Sequence, residues 1–279
     1  MSESAAEVKN VYTPLRTELL GVTEETPTIS TFRVRPEEPV SFEAGQFVEL
    51  TVPGLGEAPF TPSSSPSVKD EMEITILRTG RVTDRLHQME PGAELGLRGP
   101  FGEGYPVEEM KGHRVMAVGG GVGLAPLRSL LHHLFENIDD YEQVDIKYGS
   151  RKPDELLFRR SFDRWADKDG VSFDVTVDVP DESWEGKVGV VTNLMEDAEF
   201  DPDETYVVSC GPLIMLRFVT LTALNLGVDP ERIYLSMNRK MSCGLGKCGR
   251  CNVGPYYLCK DGPDMCYADI KDYPDAFST

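Results

Sequence analysis

The residues with the most obvious chemistry run from Cys243-Gly244-Leu245-Gly246-Lys247-Cys248-Gly249-Arg250 to Cys251, with a further cysteine at Cys259. The spacing is C-x4-C-x2-C-x7-C, and five of the six cysteines lie from Cys243 onward. Crowded thiols either pair as disulfides or bind metal. Disulfides need an oxidising compartment, and nothing upstream suggests export. Structural zinc usually takes two short C-x2-C pairs, whereas one is present here. C-x4-C-x2-C with a later cysteine is the plant-type ferredoxin spacing for a 2Fe-2S cluster, although the last gap there is longer. Gly244, Gly246 and Gly249 favour the cluster, because they let the backbone wrap closely and aim N–H groups at sulfur. Zinc remains the alternative, and Cys266 reads as a spare thiol.

A redox cluster needs a source of electrons, so the rest of the chain has to supply one. Its 279 residues suit two ordinary domains and a small appendix, and 40% hydrophobic content is enough for real cores. A net charge of −19 argues against nucleic acid or an anionic membrane as partner, while an acidic face would suit a basic redox protein. Met1–Glu7 has neither the basic start nor the apolar stretch of a signal peptide. No apolar run reaches the length of a membrane span. Reduced, metal-binding cysteines fit a cytoplasmic protein without membrane insertion.

Residues 1–108 are rich in short β-like runs: Arg16–Val22, Ile29–Val34, Gln46–Val52, Met72–Arg78 and Glu94–Arg98. Close strands without helical periodicity predict an antiparallel β-barrel. Two stretches stand out. Ala58-Pro59-Phe60-Thr61-Pro62-Ser63-Ser64-Ser65-Pro66 is rigid and rich in donors, and fits a planar heterocycle with Phe60 packed on it; an ordinary Pro/Ser turn is the plainer reading. In Arg78-Thr79-Gly80-Arg81-Val82-Thr83-Asp84-Arg85-Leu86, Thr83 is placed to cap a helix from Asp84 that faces a diphosphate; the plainer reading is a capped helix with solvated arginines.

Residues 109–227 change character. Arg114–Val118 is an apolar strand, followed by Gly119-Gly120-Gly121-Val122-Gly123 and then by Leu124, Leu127, Leu130, Leu131, Leu134 and Phe135 at helical spacing. Strand, glycine turn and helix form a phosphate cradle. Further strands are expected around Val144–Tyr148, Phe173–Val179, Thr205–Ser209 and Ile233–Met237, with helices over Asp154–Trp165 and Leu213–Leu226. Alternating β and α elements predict a parallel nucleotide-binding sheet with ligands at the strand C-termini. Gly119–Gly123 and Cys210-Gly211-Pro212 are two such ends. Cys210 is otherwise a small core residue, and His87, His113, His132 and His133 form no triad or metal pattern. Residues 228–279 hold the cysteines as a small C-terminal lobe.

The glycine loop continuing to Leu124-Ala125-Pro126, the Cys210-Gly211-Pro212 tripeptide and the Cys243–Cys259 constellation together resemble the ferredoxin–NADP reductase superfamily. The likeness is greatest to its electron-transfer subunits of dihydroorotate dehydrogenase B, cytoplasmic sulfhydrogenase and anaerobic sulfite reductase. The resemblance implies FAD contacts at Phe60, Thr61, Pro62 and Ser63, and again at Leu77, Arg78, Gly80, Val82 and Thr83. The superfamily's Arg-x-Tyr-Ser/Thr stands here as Ala58-Pro59-Phe60-Thr61, so its phosphate-binding arginine is replaced. Gly119, Gly120, Gly121, Val122 and Gly123 resemble the NAD(P) loop, with Ser150, Arg151, Cys210, Gly211 and Pro212; Cys210 falls near the nicotinamide. Cys243, Cys248, Cys251 and Cys259 resemble 2Fe-2S ligands. Asn238 stands where relatives carry an acid.

The implied activity is hydride exchange between NAD(P)H and FAD, with single electrons passing through the cluster to or from a hydrogenase, sulfite reductase or dehydrogenase type of redox subunit. A redox-sensing subunit without sustained turnover is the alternative, and a zinc-stabilised binding module the third reading. Ser150, Arg151 and Lys152 would suit a 2′-phosphate, yet NAD stays open beside NADP.

Overall fold

The structure, a computed structural model, describes residues 10–278. The Met1–Glu7 stretch weighed as a signal peptide lies outside the described residues. Among those described, no helix is long and apolar enough to cross a membrane.

The first part comprises β1 (Leu15–Thr26), β2 (Ile29–Pro36), β3 (Phe47–Val52), β4 (Gly56–Phe60), β5 (Met72–Leu77), the short helix α1 (Arg81–Leu86) and β6 (Glu94–Phe101). The six strands form one antiparallel sheet in the order β4-β3-β6-β1-β2-β5. Alternation along the strands turns Phe32, Val34, Val48, Leu50, Ile74, Ile76 and Leu97 onto one face, where they make a continuous core. Prolines 59 and 62 did not signal a strand at Gly56–Phe60. Pro59 is tolerated because β4 is an edge strand.

The second part contains β7 (Arg114–Gly120), α2 (Leu124–Glu136), β8 (Gln143–Ser150), α3 (Phe162–Ala166), β9 (Val171–Val177), β10 (Lys187–Val188), α4 (Val191–Glu196), β11 (Thr205–Cys210), α5 (Leu213–Asn225) and β12 (Ile233–Ser236). These strands run parallel, and the sheet order is β10-β9-β8-β7-β11-β12. Helices on both faces explain why β7 is buried almost throughout. The helical spacing seen in α2 does bury Leu124, Leu127, Leu130, Leu131 and Leu134. Each such side chain contributes roughly 1.5–3 kcal/mol. Pro126 sits in the first turn of α2, where no backbone donor is needed.

The helix expected over Asp154–Trp165 is broken. Phe158 takes a left-handed φ of 53°, leaving two single 3-10 turns and only the five residues of α3. Its buried ring lies under the Arg128 guanidinium, 4.6 Å from the centroid. Tertiary packing thus overrides local helix preference.

The last part adds β13 (Asn252–Val253), β14 (Tyr256–Tyr257), α6 (Leu258–Asp261), β15 (Asp264–Cys266) and α7 (Tyr267–Ile270). β15 pairs antiparallel with β12 and becomes the edge of the large sheet, while β13 and β14 form a small hairpin. Cys251, Cys259, Val253 and Leu258 share one core with Val207, Leu216 and Leu235.

Ile146 of β8 is wholly buried in the core on the α2 side of the sheet. Ile146→Ala is expected to cost about 2–5 kcal/mol. A urea transition followed by circular dichroism checks it, and an unmoved midpoint contradicts this packing.

Candidate functional site

Two clefts meet where β7 and β11 end. The strands run parallel with Cys210 opposite Gly119. Gly123 lies so close to the Cys210 carbonyl that a Cβ there would overlap it. This close approach demands glycine and brings the loop at the start of α2 against Cys210-Gly211-Pro212. Gly121 has a left-handed φ of 54°, which turns the chain out of β7.

The first cleft, of about 640 Å³, lies between the two sheets. Phe60, Thr61, Leu77 and Thr83 line it from the antiparallel side, and Val122, Gly123, Cys210 and Gly211 from the parallel side. Other expected flavin contacts lie elsewhere. Ser63 is buried and bonded to β5, by its N–H to the Glu73 carbonyl at 2.7 Å and by its hydroxyl to Thr75 at 2.9 Å. Pro62 is buried beside it, outside the lining. Arg78 pairs with Asp84 at 2.9 Å, Val82 packs on the antiparallel core, and Gly80 is the N-cap of α1. Thr83 does not cap from outside the helix. It stands in the first turn, where its hydroxyl oxygen accepts the N–H groups of Thr79 and Gly80, both at 2.9 Å.

Of the segment after β12, sequence reasoning singled out Asn238 alone. Met237, Asn238, Arg239, Lys240, Met241 and Ser242 cross the cleft as a strap. Arg239 and Lys240 are the basic residues of its lining. Glu49, Glu57 and Ser236 also line it. Strand alternation marks Glu49 as facing away from the core; nothing local marks the strap.

The second cleft, of about 540 Å³, opens at the C-terminal ends of the parallel strands. It gathers Gly120, Gly121, Ser150, Arg151 and Pro212, with Glu155 and Asp178 nearby. Gly119 is packed under Leu124 and Leu127. The Gly119–Gly123 loop and Cys210–Pro212 therefore separate the clefts and touch both. The Ser150 hydroxyl is buried without a hydrogen-bond partner.

Beneath the junction, the half-buried Cys210 meets the buried side chains of Ser236, Asp264 and Tyr105. Burial, opposed by Ser236 and helped by Asp264, pushes the Cys210 thiol up to about 12, so it is inert as a nucleophile. Asp264 faces Ser236 and Tyr105, yet neither its oxygens nor the Tyr105 hydroxyl completes a well-formed hydrogen bond. Burial pushes the Asp264 carboxyl up to about 7, against the pull of those two hydroxyls.

The cysteine loop abuts the first cleft through Ser242. Gly244, Gly246 and Gly249 all have left-handed φ, and Gly244 lies flat on the Phe101 ring. Leu245 N–H points to Cys243 Sγ at 3.4 Å and Gly246 N–H to Cys259 Sγ at 3.1 Å. Cys248 acts on the Cys243 thiol, and both Cys251 and Cys243 act on the Cys259 thiol, so the four sulfurs form one group. Burial raises the Cys243 thiol, but the N–H groups of Leu245, Cys248 and Lys247 outweigh it and bring it down to about 6. Cys266 turns away, toward the carbonyls of Pro230 and Glu231. Among the described residues no three His, Cys, Asp or Glu side chains converge as a ready single-metal site.

An oxidoreductase FAD-binding domain model matches residues 18–105, and an oxidoreductase NAD-binding domain model residues 117–220. The sulfhydrogenase 1 gamma subunit of Pyrococcus furiosus is 36% identical, over 95% of this chain and 94% of its own. A probable dihydroorotate dehydrogenase B electron transfer subunit from Thermococcus kodakarensis is 33% identical, over 82% of this chain and 87% of its own. The solved structure of an NADH-dependent reduced ferredoxin-NADP oxidoreductase superposes with a TM-score of 0.73, covering 93% of this chain and 92% of that one at 24% identity, a likeness of fold. Two domains of these kinds make the chain a FAD- and NAD-binding oxidoreductase. It belongs to the ferredoxin–NADP reductase superfamily, in company with these gamma and electron-transfer subunits.

Asp264 yields a pH prediction. Its folded pKa lies above the ordinary value, so the stability it carries is complete below about pH 4, falls as pH rises, and is gone above about pH 7. Asp264→Asn removes that loss. The variant is expected to gain on the wild type between about pH 4 and pH 7, by at most about 4 kcal/mol. Thermal melts across that range check it; a constant difference contradicts it. Gly123→Ala is expected to weaken NAD(P)H binding at least tenfold by forcing the loop off Cys210, which a fluorescence titration of the nucleotide reads.

Proposed function

We propose that this chain is the electron-entry subunit of a larger redox complex, moving a hydride between NAD(P)H and FAD and single electrons through a 2Fe-2S cluster to or from a partner subunit. The meeting of the two clefts at Gly123 and Cys210 carries this reading, because a nucleotide held in the second cleft would reach past that edge to lay its ring against a flavin in the first. The names of the relatives support it, being subunits of sulfhydrogenase and of dihydroorotate dehydrogenase B. The same proposal includes the barrel closure of the first sheet, the division at 108 and 227, and a reducing, cytoplasmic setting.

FAD, when bound, supplies the exchange between hydride and single-electron chemistry, and the protein supplies orientation. Phe60, Thr61, Leu77 and Thr83 would hold it from the antiparallel sheet, with Arg239 and Lys240 meeting its phosphates. Gly120, Gly121 and the N-terminus of α2 would take the nucleotide diphosphate. Ser150 offers its free hydroxyl and Arg151 its charge to the adenosine end. Cys210, half-buried with its thiol held neutral, would border the reacting ring without acting as a competing nucleophile.

The cysteine loop suits a cluster better than zinc. A single zinc needs its ligands to converge on one point, which no three such side chains do among the described residues, whereas in a two-iron centre each iron takes only two thiolates. Cys243, Cys248, Cys251 and Cys259 would be those ligands. The N–H groups of Leu245 and Gly246 already point at two of the sulfurs, as donors that would tune the potential.

An anaerobic absorption spectrum tests the whole reading. The purified chain is expected to show flavin and iron–sulfur bands that NADH or NADPH bleaches; a colourless chain overturns it. Cys251→Ser is expected to lower bound iron and sulfide by more than half while flavin content stays, as measured by metal and sulfide analysis.

A further inference from the structure

Glu49 is buried in the first cleft with nothing to bond. On β3 it stands between Pro59 of β4 and Arg98 of β6. Alternation sends Val48 and Leu50 into the core and turns Glu49 to the opposite face, where it joins the cleft lining. Its exposure is 0%, and neither carboxyl oxygen has a hydrogen-bond partner.

The obvious counter-ion is engaged elsewhere. Arg98 gives Nε and Nη2 to Glu57 at 3.0 and 2.5 Å, and Nη1 to the carbonyls of Val11 and Cys243 at 3.3 and 3.4 Å. Burial first, and then the Glu57 charge, push the Glu49 carboxyl up to about 8; Arg98 opposes them and Cys243 adds to them. Near neutral pH the group is therefore held as the acid, which donates as well as accepts. Leaving such a group unbonded costs folding free energy, so a purely structural position would carry leucine or valine, as the neighbours do.

We propose that Glu49 is a cofactor-binding residue, its carboxyl making a hydrogen bond to a polar atom of the flavin held in this cleft. The inference rests on the FAD reading above. It explains why the carboxyl faces the cleft, why Arg98 is kept from it by Glu57, and why folding alone leaves it without a partner.

The test uses the full chain stripped of flavin, with FAD affinity read by flavin fluorescence and apo stability by thermal melting. Glu49→Leu keeps the bulk and removes the bond; Glu49→Gln keeps a neutral donor. Glu49→Leu is expected to bind FAD at least tenfold more weakly, and Glu49→Gln within threefold of the wild type. Apo Glu49→Leu is expected to melt at or above the wild-type temperature, since an unbonded acid has been removed. The proposal is overturned if Glu49→Leu binds FAD within threefold of the wild type, if Glu49→Gln is as weak as Glu49→Leu, or if Glu49→Leu lowers the apo melting temperature along with affinity, which would mark a structural role. A wild-type chain that takes no FAD at all sinks the FAD reading, and this proposal with it.

Discussion

Backbone touching backbone at Gly123 and the Cys210 carbonyl is the constraint on which both clefts depend. No side chain fits between them. The contact fixes the entrance of α2 over the end of β11, and so sets the wall shared by the two ligand spaces. Hydride transfer needs the two rings in contact and is sensitive to small misplacements of the reacting atoms, so the edge past which they would meet has to be fixed. The parallel register of β7 and β11 carries that wall, and the cores on either face of the sheet hold the register.

Around this wall the charges divide into two populations. Most of the chain's acids are at the surface, where pairs such as Arg16 with Glu94 add little to stability. Glu49 and Asp264 are different, being buried, incompletely bonded and pushed toward the neutral form. Both lie at seams. Glu49 faces the strap that follows β12, and Asp264 presses against Gly45 and Tyr105 of the first part. Native interiors seldom keep polar groups without partners, and functional seams are where they are found.

The cysteine loop is held as firmly as the sheet it leans on. β15 extends that sheet, Cys251 and Cys259 lie in its core, and Phe101 from the antiparallel side closes under Gly244. Arg98 reaches from β6 to the carbonyl of Cys243. The thiols are thus positioned by all three parts of the chain, and their distance from the first cleft is set by packing rather than by a flexible tether.

Much of the architecture was legible in the sequence because it is written in local patterns. Period-two runs marked β1, β2, β3, β5 and β6, helical spacing of leucines marked α2, and glycines after an apolar strand marked the phosphate loop. The cysteine spacing singled out the four thiols. Long-range packing decided the rest. Phe158 broke an expected helix because its ring is buried beneath Arg128. Thr83 moved inside the first turn of α1. Ser63 bonded to β5 instead of facing the cleft. Alternation along β3 marks the direction of Glu49, but nothing local marks that its carboxyl and that of Asp264 lack partners, or that residues 237–242 cross the cleft: a residue's type records what it is able to bond, and only the fold decides what comes within reach.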